Sequence, residues 1–252
     1  MDWKIEKYDS VGSTQDVAKQ LALAGAPEGT IVLADHQNHG RGRGTRTWYS
    51  PAGTGLWATC ILRPSISPEH LPLLPVLVSI SVSHAVERIT GRDVFIKWPN
   101  DVMLGDRKIA GVLCEAESDP GKGTSLVLAG FGLNMREPEG GFNEEIAGLA
   151  TSIETEMGSH TDDSSTLDSI LASLERLYRR FLLGVYSEIV QEASSRNMLE
   201  GTYVKVKVGE KVVEGRSEGL TDRGGLLVRA EGDTLVELTS GEVLEYAPYP
   251  VD

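Results

Sequence analysis

Positive charge is scarce in this sequence. Its 252 residues carry 24 lysines and arginines against 37 aspartates and glutamates, a formal net charge of −13. General nucleic-acid binding needs a basic face that releases counterions, and the deficit argues against it. An anionic small molecule held in one local basic pocket is still allowed. Cysteine is nearly absent. Cys60 and Cys114 lie far apart, form no metal-type or redox spacing, and sit in the apolar runs "LWATCIL" and "IAGVLCE". They read as buried free thiols in a reducing compartment. The N-terminus, "MDWKIEKYDS", lacks the apolar stretch of a signal peptide. The longest oily run, "LPLLPVLVSISV", is short of a bilayer span and contains Pro72 and Pro75. These absences give the expectation of a soluble, cytoplasmic protein with no membrane partner.

The residues that are present suggest an α+β chain. "WKIEKY" reads as a strand, and Ser13 or Thr14 caps a helix, "QDVAKQLALAG", that stops at Gly25. The β-branched run from Thr30 to Asp35 and "GLWATCIL" are strands. A helix is expected after Pro75, ending at Gly91. "VFIKWPNDVML" is a strand broken at Pro99-Asn100-Asp101, and "RKIAGVLCEAE" and "SLVLAGFGLNM" are two more, joined by the turn-rich "SDPGKGT". Apolar residues from Leu167 through Leu182, Val185 and Ile189 predict one long core helix over 164–196. After Glu200 the texture changes to short alternating strands with Gly and Asp turns, as in a compact barrel. The expected division is 1–200 and 201–252.

Scarce charge makes one stretch conspicuous. "HGRGRGTRTW" sets Arg41, Arg43 and Arg46 among three glycines, and from His36 to Pro68 there is no acidic residue at all. Glycine lets backbone approach a ligand, and arginine presents a planar fork of donors that fits phosphate or carboxylate. An anion cradle competes here with a disordered RG segment that binds RNA and with a solvated loop. Three further motifs accompany it. "STQD" places small hydroxyls at a strand-to-helix turn. In "KWPNDVMLGDRKIAG", Lys108 stands just after a hairpin turn with its root fixed by a strand, and Gly111 falls inside that strand, where glycine often marks close approach. In "GFGLNM", Asn134 offers both donor and acceptor. Trp48 suits either core packing or stacking on a flat base.

Taken in order, "STQ", "QNHGRGRGTRTW", "KWPNDVMLGDRKIAG" and "GFGLN" resemble the motifs of a biotin protein ligase, also called biotin–[acetyl-CoA-carboxylase] ligase. The resemblance covers roughly residues 1–200. It implies a mixed-sheet catalytic domain flanked by helices and, beyond it, a small SH3-like β-barrel. It also implies a reaction: biotin and ATP, with Mg²⁺, form biotinyl-5′-AMP and pyrophosphate, and biotin then passes to a lysine of a biotin carboxyl carrier domain. By the same resemblance Ser13, Thr14, Gln15 and Gln37 meet the biotin head group, with Gly111 also on the biotin side. Arg41, Gly42 and Arg43 belong to a loop that closes over biotin and the adenylate. Arg46 holds phosphate, Trp48 stacks adenine, and Asn134 lies near the nucleotide. Lys108 meets the reacting carboxyl and α-phosphate, so Lys108, Arg41 and Arg46 are the expected catalytic residues. No ligand set for the metal is implied.

The chemistry agrees with these residue types. Two anions must meet, and fixed positive groups cancel their repulsion and the charge that builds at phosphorus. A mobile loop protects a mixed anhydride from water. Two departures from the family pattern stand out. Thr45 replaces the glycine often found before the last loop arginine, with Gly44 one place earlier. The first motif begins near the start of the chain, so the N-terminal DNA-binding domain that some members carry is not expected, nor is operator binding. A homodimer is plausible from relatives that dimerise by sheet extension. The rival readings are a lipoate–protein ligase of related fold, which lacks the full arginine-loop pattern, and a non-catalytic binding module, which leaves Lys108, Asn134 and Gln37 unexplained.

Overall fold

A computed structural model describes residues 1–119 and 123–249. Its main layer is a seven-stranded sheet in the order β1-β2-β3-β7-β6-β5-β4. The strands are β1 (Lys4–Val11), β2 (Thr30–Gln37), β3 (Gly55–Leu62), β4 (Val94–Lys97), β5 (Asp101–Leu104), β6 (Arg107–Asp119) and β7 (Gly123–Asn134). Only β1 and β2 run parallel, and α1 (Thr14–Leu23) makes the crossover between them. Ser13 is the N-cap of α1, its Oγ accepting from Gln15 N at 3.2 Å. The turn expected between β6 and β7 falls partly on 120–122, outside the described residues.

Side-chain alternation along the sheet separates two faces. Val32, Ile61, Leu126 and Leu128 point toward α1, where Ala18 and Ala22 complete a small core. Ile31, Cys60, Leu62, Val127 and Ala129 point the other way, into the main core under α2 (Leu73–Thr90) and α4 (Asp163–Leu182). α2 is apolar nearly all round because it is buried between the sheet and α4. Its three buried serines donate to carbonyls one turn back: Ser79 to Pro75, Ser81 to Leu77 and Ser83 to Ser79, at 2.8–2.9 Å. The helix starts at Leu73 rather than after Pro75, since proline is tolerated in a first turn. Gly91 ends it in the left-handed conformation, φ 63°. From Pro68 to Thr90 the segment is long and apolar enough to span a bilayer, more than the shorter run suggested, but two thirds of its apolar 18-residue window is buried inside the fold, as in a core helix.

The long helix expected over 164–196 is two helices. α4 stops at Leu182, Gly184 takes φ 76°, and α5 (Tyr186–Ser195) restarts the chain. The apolar spacing runs through the break because both helices face one core. Leu182, counted as a core position, is 46% exposed. A short α3 (Ile153–Met157) precedes them. The two thiols flank Ala129 in one row of the sheet, Cys60 opposite Ala129 and Ala129 opposite Cys114. Two ladder steps, roughly 10 Å, exceed disulfide reach. Burial pushes the Cys60 thiol up to about 12.

The C-terminal strands β8 (Thr202–Val208), β9 (Lys211–Leu220), β10 (Leu226–Ala230), β11 (Thr234–Leu238) and β12 (Glu242–Pro248) form an antiparallel sheet in the order β11-β10-β9-β8-β12. These five strands are the small β unit expected after Glu200; β11 and β12 are the ends of the strand order, with no pairing between them among the described residues.

Candidate active site

The α1 face of the sheet is bare beyond that helix because three of its positions are glycine. Thr59, Gly130 and Leu113 form one row across β3, β7 and β6, and Trp57, Gly132 and Gly111 form the next. A Cβ on Gly130 would stand 2.6 Å from Gln15 Oε1, and one on Gly132 would stand 2.3 Å from Trp48 Nε1. A Cβ on Gly111 would stand 2.8 Å from the Trp48 ring and 3.2 Å from Lys108 Cε. The glycines therefore make a floor on which other residues' side chains lie. Above it is a cavity of about 130 Å³ lined by Ser13, Thr14, Gln15, Gln37, Arg41, Gly42, Arg43, Arg46, Trp48, Lys108 and Gly111, all singled out in the sequence.

One end of the cavity is a nest of amides and hydroxyls. Thr14 N and Oγ1 donate to Gln37 Oε1 at 2.8 and 3.1 Å, and Gln37 Nε2 donates to Ser50 Oγ at 2.8 Å. Gln15 Nε2 donates to Leu128 O at 3.2 Å, while Thr59 Oγ1 lies 2.9 Å from Thr14 Oγ1 and 3.0 Å from Gln15 Oε1. Every member is buried. Thr59 was missed from sequence, although a threonine inside the apolar run "LWATCIL" was its signal.

The other end is cationic. Five cations line the cavity (Arg41, Arg43, Arg46, Lys97 and Lys108) against two carboxylates, Asp101 and Glu242, in a chain of net charge −13. Lys108 Nζ sits 2.5 Å from Asp101 Oδ1 and 5.0 Å from the centre of the Trp48 ring. Lys97 Nζ reaches the other Asp101 oxygen at 3.6 Å. The Lys108 backbone is held from the far side, its N–H donating to Leu149 O at 2.7 Å and its carbonyl accepting from Thr151 N at 3.0 Å. Lys97 and Asp101 belong to the "KWPND" motif but were not chosen from it.

The arginine loop is an ordered turn. Gly42 N donates to Arg46 O at 2.8 Å and Arg46 N to Arg43 O at 3.3 Å, with Gly44 at φ 64°. A positive φ at the first central position of such a turn calls for glycine. Thr45 takes the second, so this loop tolerates it. Gly40 is needed where the loop ends meet, since a Cβ there would stand 2.3 Å from Trp48 O.

The arginines have acidic and carbonyl partners that the local sequence did not reveal. Arg41 pairs with Glu115 at 2.6 Å and with Asp16 at 2.9 Å. Burial works against its charge, but the Glu115 and Asp16 carboxylates outweigh that and hold its pKa above the ordinary guanidinium value. Arg43 donates to Gly241 O at 2.8 Å, and Arg46 lies 3.3 Å from Glu242 Oε1. Burial, and then the neighbouring Arg46, lower the Arg43 pKa. Gly241, Glu242 and Val243, from the start of β12 and the turn before it, thus form part of the cavity wall.

Asn134 is not brought into the cavity. It is buried, and its Nδ2 donates to Thr151 O at 3.0 Å, so it braces the segment behind Lys108. Among the described residues, no three His, Cys, Asp or Glu side chains gather as a metal site.

The sequence matches the profile of the Biotin/lipoate A/B protein ligase family over residues 8–134 and that of the biotin protein ligase C terminal domain over residues 201–244. The bifunctional ligase/repressor BirA of Bacillus spizizenii is 33% identical over 223 residues, which is 88% of this chain and 68% of that protein. The biotin–[acetyl-CoA-carboxylase] ligase of Paracoccus denitrificans is 31% identical over 216 residues, 84% of this chain and 89% of that one. Among solved structures, the biotin protein ligase from Aquifex aeolicus in complex with biotin and ATP superposes with a TM-score of 0.81 at 30% identity, covering 97% of this chain and 99% of the other. The chain belongs to the biotin/lipoate A/B protein ligase family, and within it to the biotin protein ligases.

Proposed function

We propose that this chain joins biotin to ATP, giving biotinyl-5′-AMP and pyrophosphate, and then transfers biotin to a lysine of a biotin carboxyl carrier domain. One observation carries the reading: a polar nest and a cationic cluster share one cavity over the glycines of β6 and β7. A ureido ring offers both donors and acceptors to Ser13, Thr14, Gln15, Gln37 and Thr59. A dithiolane ring offers none and would leave buried polar groups without gain, so the nest favours biotin over lipoate.

In the first step a biotin carboxylate oxygen attacks the α-phosphorus, the bond to the β-phosphate oxygen breaks, and pyrophosphate leaves. Lys108, with its root held on both sides of the strand and its ammonium against Asp101, stands where the two anions meet. Arg43 and Arg46 face the phosphates, and Arg41 ties the loop to α1 and β6. Fixed charges of this kind stabilise the transition state without reorganising, and holding the reactants in line supplies much of the rest. Mg²⁺ would arrive with ATP rather than in a dedicated protein cage, and it would offset the charge of the leaving pyrophosphate. In the second step the carrier's lysine amine attacks the acyl carbon, AMP leaves, and the amine proton passes to solvent.

Residues 1–200 supply the reacting groups on this reading, and 201–252 supply the wall at Gly241–Val243. A cytoplasmic location accords with the unpaired thiols, and a homodimer is proposed from relatives alone. The reading is tested by biotin-dependent pyrophosphate release from ATP, with lipoate as the competing substrate, followed by labelling of a carrier domain. Pyrophosphate with lipoate but not biotin would refute it.

A further inference from the structure

The small core under the C-terminal sheet is completed from outside that sheet. Trp98, in the strand break between β4 and β5, is 3% exposed and packs with Val204, Val206, Leu226, Val228 and Leu238. Its Nε1 donates to Gly224 O at 3.0 Å. Trp98 is also three residues from Asp101, and the chain between them is tied down. Val112 N donates to Asn100 O at 3.0 Å, and Asn100 Nδ2 donates to Val112 O at 2.5 Å. Pro99 has a fixed φ. Asp101 then pairs with Gly111 and places its carboxylate against Lys108 and Lys97.

We infer that Trp98 is a positioning residue for adenylation: the C-terminal core grips its indole, and through Asn100 and Asp101 that grip sets where the Lys108 ammonium stands. The inference rests on the adenylation reading above. A lysine on a flexible stem is placed by the partner of its ammonium, and that partner is only as fixed as the segment bearing it. The biotin nest is anchored on α1, β2 and β3, with Gln15 reaching the Leu128 and Leu113 carbonyls of β7 and β6, and among the described residues no hydrogen bond joins it to Trp98 itself. Loosening Trp98 therefore acts on the chemical step and leaves biotin binding alone.

The experiment measures pyrophosphate release and biotin binding for wild type, Trp98→Phe and Leu226→Ala. Trp98→Phe keeps an aromatic ring but loses the bond to Gly224. Leu226→Ala opens the same core from the C-terminal side, away from the cavity. The expected result is a kcat lower by roughly 10- to 100-fold, the scale of a small misplacement of reacting groups, with biotin Kd within about twofold and a single unfolding transition. Trp98→Phe in an Asp101→Asn background is expected to cost little more, because coupled residues are not additive. Unchanged kcat in both folded variants, with only a lower Tm, would overturn the inference, as would losses that simply multiply in the double variant. Leu226→Ala still decides the matter if Trp98→Phe does not fold. Absence of pyrophosphate from wild type would instead strike the adenylation reading itself.

Discussion

At the scale of single residues, Lys108 and Glu242 make opposite predictions. Lys108 contacts Asp101 and the Trp48 ring, but its place in the sheet is secured by its backbone. Lys108→Ala is expected to fold normally and lose about 100- to 1,000-fold in pyrophosphate release, the scale of removing one preorganised charge from a transition state. Wild-type-like turnover would remove Lys108 from the mechanism. Glu242 pairs with Arg46 where both side chains are about half exposed. On the proposed reading it occupies a cation that the phosphates need. Glu242→Gln is expected to lower the KM for ATP by up to about fivefold at low salt, since an exposed pair is worth about 1 kcal/mol at most. An unchanged KM would mean that Arg46 is free of Glu242 in solution. The arginines themselves were legible from sequence, whereas their partners Asp16, Glu115, Glu242 and Gly241 lie far along the chain. Asn134 was legible as a motif, but its turn toward Thr151 depends on a segment that no local pattern places.

At the scale of elements, the glycine rows of β6 and β7 and the segment behind Lys108 carry the site. The indole of Trp48 rests on Gly111 and Gly132, which face each other across the ladder. Gly132→Ala puts a methyl where Trp48 Nε1 now lies. The variant is expected to keep its fold and biotin affinity but raise the KM for ATP severalfold; tryptophan fluorescence and steady-state kinetics check this. Behind Lys108, buried Glu156 binds Arg92, Arg107 at 2.6 Å and the Thr151 hydroxyl at 2.6 Å. Burial raises its pKa, but Thr151 and the two guanidiniums outweigh burial and hold it below the ordinary 4.5. Its folded value is depressed, so its stabilisation is whole above the unfolded pKa and lost as pH falls through the folded one. The Tm gap between wild type and Glu156→Gln is therefore expected to be constant near neutrality and to shrink below about pH 4.5. A gap that ignores pH would exclude this carboxylate as the source. Strands, α1 and α2 could be read from periodicity and glycine stops. The break at Gly184 could not, because the apolar spacing continues across it.

Across the whole molecule, an acidic chain concentrates cations in one cavity by folding two sheets against each other. Texture alone shows the change after Glu200, and the arginine and "KWPND" motifs suffice to suggest the chemistry. What remained hidden is that Trp98 belongs to the second core and that the turn before β12 closes the wall around Arg43 and Arg46. Both are contacts between residues more than a hundred positions apart, and such contacts leave no periodic trace in a single sequence. The most direct test of the account is a time course of pyrophosphate release from MgATP by the purified chain, with and without biotin. Release that requires biotin, and that is lost in Lys108→Ala, is the predicted result. Biotin-independent release, or none at all, would contradict it.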